Sequence, residues 1–106
     1  MPANKFIDEM VGRIRDGFDP ERIILFGSFA RGTARHDSDI DLLVVLPQVE
    51  NKRKCAVDIR RALADLPASK DIIVATPEDI ARKGDTVGSI LRPALREGKV
   101  LYERHV

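Results

Sequence analysis

The chain has one cysteine among its 106 residues. A lone thiol, Cys55, can form neither an internal disulfide nor a Cys-rich metal site. The fold must therefore close without covalent staples, and a reducing cytoplasm is the compartment expected. Long apolar runs are lacking as well. The longest aliphatic stretch, Leu42 to Leu46, falls far short of the roughly 20 residues that a spanning helix needs. The opening MPANKFIDEM has no apolar centre of the kind a signal peptide carries. Neither membrane insertion nor secretion is expected. An excess of one charge is absent too: 18 Lys and Arg against 17 Asp and Glu leave +1. With no block of like charge to form a basic stripe, bulk electrostatics predict no direct nucleic-acid binding.

What is present suits a globular core. Hydrophobic residues make up 43% and charged residues 33%, enough to bury an interior and keep a solvated surface. The length fits a single domain over residues 1–106. Ile7, Met10, Val11, Ile14 and Phe18 recur at helical spacing and predict an amphipathic helix ending near Gly17. Arg22 to Phe26 reads as a strand that breaks at Gly27-Ser28, followed by a brief helix closed by Gly32. A second strand is expected from about Asp39 to Leu46, stopped by Pro47. Cys55, Ile59, Ala62 and Leu66 share one face of a helix expected over about Asn51–Leu66, with Cys55 toward the core. Lys70 to Ala75 is a third strand.

Thr76-Pro77-Glu78-Asp79 combines an N-cap, a proline at the first helical position and an acid three residues past the cap, and so opens a helix to about Lys83. Val87, Ile90, Leu91, Ala94 and Leu95 predict a last helix, bent at Pro93 and capped by Gly98. Val100 to Tyr102 reads as a fourth strand, at a sheet edge. Strands alternating with helices imply an α/β architecture, a small mixed β-sheet of three or four strands flanked by helices.

The chemistry concentrates in Gly27–Gly32 and Asp37–Val45. Strand side chains alternate faces, so Asp39 and Asp41 point one way while Ile40, Leu42, Val44 and Leu46 point the other. Two adjacent carboxylates repel unless a proton or cation lies between them, and carboxylate oxygens together with substrate phosphates are the usual holders of Mg²⁺. If the third strand neighbours the second, Asp71 joins them in a three-acid cluster. The alternatives are that Asp39 and Asp41 are solvated on an exposed strand face, and that Asp71 is a surface acid opening its strand. An EF-hand loop is excluded, because Leu42 and Gln48 stand where glycine and glutamate are required.

Gly27-Ser28 is either a plain turn or a phosphate cradle at a helix start. It is not a P-loop, since Thr33 and Ala34 stand where lysine and serine or threonine would be needed. Arg31 reaches either phosphate or a surface acid. His36, with no second histidine nearby, reads as a loop residue; His105 suggests nothing, and Tyr102 is read as edge packing.

Gly27-Ser28, ten intervening residues and Asp39-x-Asp41 resemble the GS-x₁₀-D-x-D signature of the DNA polymerase β-like nucleotidyltransferase superfamily, with Asp71 matching its third carboxylate. The GSFARG turn, the short length and the closing Glu97–Glu103 are similar to the minimal nucleotidyltransferases (MNT) of prokaryotes, over about residues 20 to 103. The resemblance implies a polymerase β-like fold in which Gly27 and Ser28 take the nucleotide triphosphate. It further implies that Asp39 and Asp41 hold two Mg²⁺ ions, and that Asp71 serves one metal and the attacking hydroxyl. It also implies an antitoxin that transfers AMP from ATP to a tyrosine of an all-helical HEPN toxin in a hetero-oligomer. Two other readings are a non-catalytic antitoxin acting by contact and a transferase for a small molecule. Relatives of the latter kind carry an extra helical domain.

Overall fold

A computed structural model of the chain describes residues 2–35, 37–84, 86, 88–89 and 91–104. His36, Val87, Ile90 and His105, all read above, lie outside the described residues. Helix α1 (Pro2–Phe18) forms where the apolar spacing predicts it, with Ile7, Met10 and Ile14 buried. Strand β1 (Arg22–Phe26) follows and runs into the single-turn helix α2 (Ser28–Arg31). Gly32, left-handed at φ 78°, ends that helix by donating its N–H to the Ser28 carbonyl. Strand β2 (Ile40–Val45), helix α3 (Lys52–Ala62) and strand β3 (Lys70–Ala75) make a strand–helix–strand unit. Helix α4 (Pro77–Lys83), helix α5 (Leu91–Glu97) and strand β4 (Lys99–Glu103) complete the described elements.

The strands form one sheet in the order β3-β2-β1-β4. β1 runs antiparallel to β2 and β4, while β2 and β3 are parallel, the pairing that requires a crossover such as α3. The sheet is mixed and flanked by helices, as expected, and β4 lies at its edge. Alternation along the strands sorts the core into two layers. Ile40, Leu42, Val44, Ile72 and Val74 pack with Met10 and Ile14 of α1, Ile59 of α3 and Leu63 just past its end. Leu43, Val45, Ile24, Phe26 and Ala75 pack with Leu91 and Ala94 of α5 on the opposite face. Cys55 and Tyr102 are half-buried against the first layer, matching the packing roles expected of them.

Two expectations need correction. Helix α3 stops at Ala62, four residues before Leu66. The chain tightens there through i to i+3 bonds from Leu63 and Ala64 N–H, and the Lys70 ammonium donates to the Leu63 and Leu66 carbonyls at 2.9 and 3.0 Å. Those carbonyls are satisfied by a strand residue rather than by a further helical turn. Pro93, expected to bend a longer helix, instead lies third in the seven-residue α5. In a first turn its missing N–H costs no hydrogen bond, so nothing forces a kink. No helix among the described residues is long and apolar enough to cross a membrane.

Candidate active site

The site forms where β1 ends and β2 and β3 begin. Register pairs Phe26 of β1 with Asp41, and Asp41 with Asp71 of β3. Both acids fall on the same face as residues of the α5-side layer, Leu43 and Val45 on β2 and Ile73 and Ala75 on β3. Asp41 and Asp71 are therefore side by side on one face of the sheet, the arrangement that the sequence could state only as a condition. Asp39 precedes β2 and is exposed. A bond from the Ile40 N–H to the Ser69 carbonyl (2.9 Å) ties the start of β2 to the residue before β3. Ser38 closes the loop ahead of it: its Oγ accepts from the Arg35 N–H at 2.8 Å, and its N–H donates to the Arg35 carbonyl.

Electrostatics join the three acids. Burial first, then the negative charges of Asp71 and Asp39, push the Asp41 carboxyl above the usual Asp range, while Arg31 pulls it back. Burial penalises the charged form and like charges add to that penalty. The site thus favours an incoming cation.

Gly27 makes the close approach possible. It has φ 74° and ψ −156°, a region of backbone space essentially confined to glycine. A Cβ built on it would lie 2.1 Å from the Asp41 Oδ2, so the bare backbone and the carboxylate share space that no side chain could enter. The Gly27 carbonyl accepts from the Ala30 and Arg31 N–H groups at 3.1 Å each, which winds α2 directly out of the turn. Ser28 is the first residue of that helix and Arg31 its last. The Arg31 guanidinium is 3.7 Å from the Glu97 carboxylate, with both side chains about half exposed (51% and 54%).

One contact was not foreseen. The Asp71 Oδ1 accepts from an Arg60 guanidinium nitrogen at 3.1 Å. No local pattern marks Arg60, which is one of several basic residues on α3; only the packing of that helix beside β3 brings it there. Among the described residues no three His, Cys, Asp or Glu side chains stand as a ready metal cluster. The donor chemistry nevertheless fits a hard cation: three carboxylates, two in register and all coupled electrostatically. An open cleft of about 530 Å³ between Phe18, Leu46, Asn51 and Cys55 lies at the other end of β2 from Asp41 and is separate from this site.

Comparison with known proteins agrees with the fold. A family model described as a nucleotidyltransferase domain matches residues 7–100. The chain belongs to that nucleotidyltransferase family. Membership makes it an enzyme of the nucleotidyl-transferring class, built on the mixed sheet described above. A relative from Methanocaldococcus jannaschii, provisionally named a protein adenylyltransferase, is 30% identical over 111 residues, spanning 95% of this chain and 72% of its own. A solved toxin–antitoxin structure with AMP-PNP superposes with a TM-score of 0.63 at 24% identity, covering 92% of this chain and 73% of the other. The complex of a tri-AMPylated Shewanella oneidensis HEPN toxin with an MNT antitoxin gives 0.54 at 18% identity, covering 98% and 74%. At these identities the solved structures establish the shared nucleotidyltransferase fold.

Proposed function

We infer that residues 1–106 act as one minimal nucleotidyltransferase domain in the cytoplasm, moving AMP from ATP to a tyrosine hydroxyl of a helical HEPN-family toxin and so acting as its antitoxin. The observation that carries this reading is the in-register pair Asp41 and Asp71 beside Gly27. Support for the donor and the partner comes from the relatives: one named for protein adenylylation, one toxin–antitoxin complex with AMP-PNP and one with an AMPylated HEPN toxin.

In this reading Gly27 and Ser28 receive the triphosphate at the start of α2. Asp39, Asp41 and Asp71 are the residues that would hold two Mg²⁺ ions, which when bound neutralise phosphate charge and make an acceptor hydroxyl more acidic. Asp71 assists removal of the acceptor proton. The acceptor oxygen then forms its bond to the α-phosphorus in line, the bond from that phosphorus to the bridging oxygen breaks, and pyrophosphate leaves. Asp39 is exposed and Asp71 half-buried, so the site is open on one side and the partner supplies the second wall.

The test uses ATP labelled at the α- or the γ-phosphate, with the purified chain and a candidate helical partner. Label from the α position should appear on a partner tyrosine and label from the γ position should not. Transfer of γ-label, or no transfer and no complex on size-exclusion chromatography, would overturn the reading.

A further inference from the structure

We propose that Arg60 is a positioning residue: it occupies the Asp71 carboxylate in the cation-free protein and is displaced from it when a divalent cation binds. This inference rests on the reading of Asp39, Asp41 and Asp71 as the cation-holding set. β3 is an edge strand, which leaves its flank open to a side chain from a neighbouring helix. The neighbours of Arg60 fix where that side chain starts. Ile59 and Leu63 of the same helical segment are fully buried, at 0% exposure each, so α3 is anchored and the guanidinium is presented at the rim of the site.

The strength of the contact suits a placeholder. Arg60 meets Asp71 through a hydrogen bond of 3.1 Å, with side chains 52% and 48% exposed; pairs this solvated contribute only about 0.2–1 kcal/mol. Elsewhere the fold uses firmer pairs where it needs permanence. Arg13 grips both carboxylate oxygens of Asp65, and Asp79 is held by Lys52 at 2.6 Å while closing a capping box. Asp71 stands next to another carboxylate in the sheet, so without a counter-charge the pair repels. Arg60 relieves that repulsion with a single positive charge, and a divalent cation between the acids relieves it more completely. The cation therefore competes with the guanidinium for the Asp71 carboxylate.

The experiment measures Mn²⁺ binding to the intact chain, without nucleotide, by electron paramagnetic resonance. Arg60→Gln should tighten Mn²⁺ binding about two- to fivefold, the factor matching the strength of an exposed pair. Arg60→Lys, which keeps the charge, should stay near wild type. Arg61→Gln removes the same charge from the next position on the helix and should change affinity less. In an Asp71→Asn background the effect of Arg60→Gln should vanish, since the two side chains act as one unit.

Affinity unchanged or weakened by Arg60→Gln, an equal gain from Arg61→Gln, or a gain that persists with Asp71→Asn would each overturn the proposal. If Asp71→Asn weakens Mn²⁺ while Arg60→Gln does nothing, the Arg60 role alone fails. If Asp71→Asn leaves Mn²⁺ binding intact and the wild-type chain transfers no AMP, the cation-site reading beneath it fails too.

Discussion

Gly27→Ala is the substitution whose consequence the structure specifies most fully. The new Cβ would lie 2.1 Å from the Asp41 Oδ2 and 3.0 Å from its Cγ, and the first distance is more than about 1 Å inside ordinary contact. Asp41 has a short side chain on a strand paired on both sides, so either its carboxylate swings away or the β1–α2 turn shifts. Alanine must also adopt φ 74° and ψ −156°, at a cost of about 1–3 kcal/mol. A displacement of about 1 Å at a reacting group lowers rate about 100-fold. Gly27→Ala should therefore lose about two orders of magnitude in AMP transfer and about 1–3 kcal/mol of stability by urea unfolding. Gly32→Ala is the control. Gly32 has a similar positive φ of 78° but nothing within 4 Å of a built Cβ, so it should lose about 1–2 kcal/mol and keep transfer near wild type. Full transfer by Gly27→Ala would refute the claim that the turn places Asp41.

The other predictions concern the supports of the site. The Asp79 carboxyl is held below its ordinary value by Lys52 first and also by its bonds to Thr76. A depressed folded-state value gives stability that is present above the unfolded value of about 3.9 and lost as pH falls through the lower folded one. Asp79→Asn should therefore destabilise the chain at neutral pH, with the gap to wild type closing below about pH 4 in urea titrations. Lys70→Met should remove the ammonium that satisfies the Leu63 and Leu66 carbonyls and cost about 1–3 kcal/mol in the same unfolding assay. Asp71→Asn should reduce AMP transfer more than ATP affinity, measured by calorimetry against single-turnover kinetics; equal losses in both would contradict its role at the acceptor.

The sequence made much of the frame legible because its local signals agree with the tertiary structure. Arg22–Phe26 and Lys70–Ala75 are bounded as read, since glycine, proline and the β-branched runs punctuate them. The capping box at Thr76 and Asp79 forms as its spacing implies. The Gly27-Ser28 and Asp39-x-Asp41 spacing pointed to the junction of β1 and β2, where Asp41 stands on the strand and Asp39 lies just before it. What stayed hidden depends on contacts between distant residues. The end of α3 is set by Lys70, beyond the reach of helix periodicity. The side-by-side position of Asp71 follows from the parallel register of β2 and β3, which no local pattern encodes. Arg60 reaches Asp71 across eleven positions, and its type alone resembles any solvated helix cation.

The most direct measurement is AMP transfer by the double variant Asp39→Asn with Asp41→Asn, using ATP labelled at the α-phosphate and a helical partner on which the wild-type chain is active. Label should no longer reach the partner while the variant keeps its fold. Label arriving at the wild-type rate would contradict it, because the acids beside the glycine turn would then take no part in the chemistry.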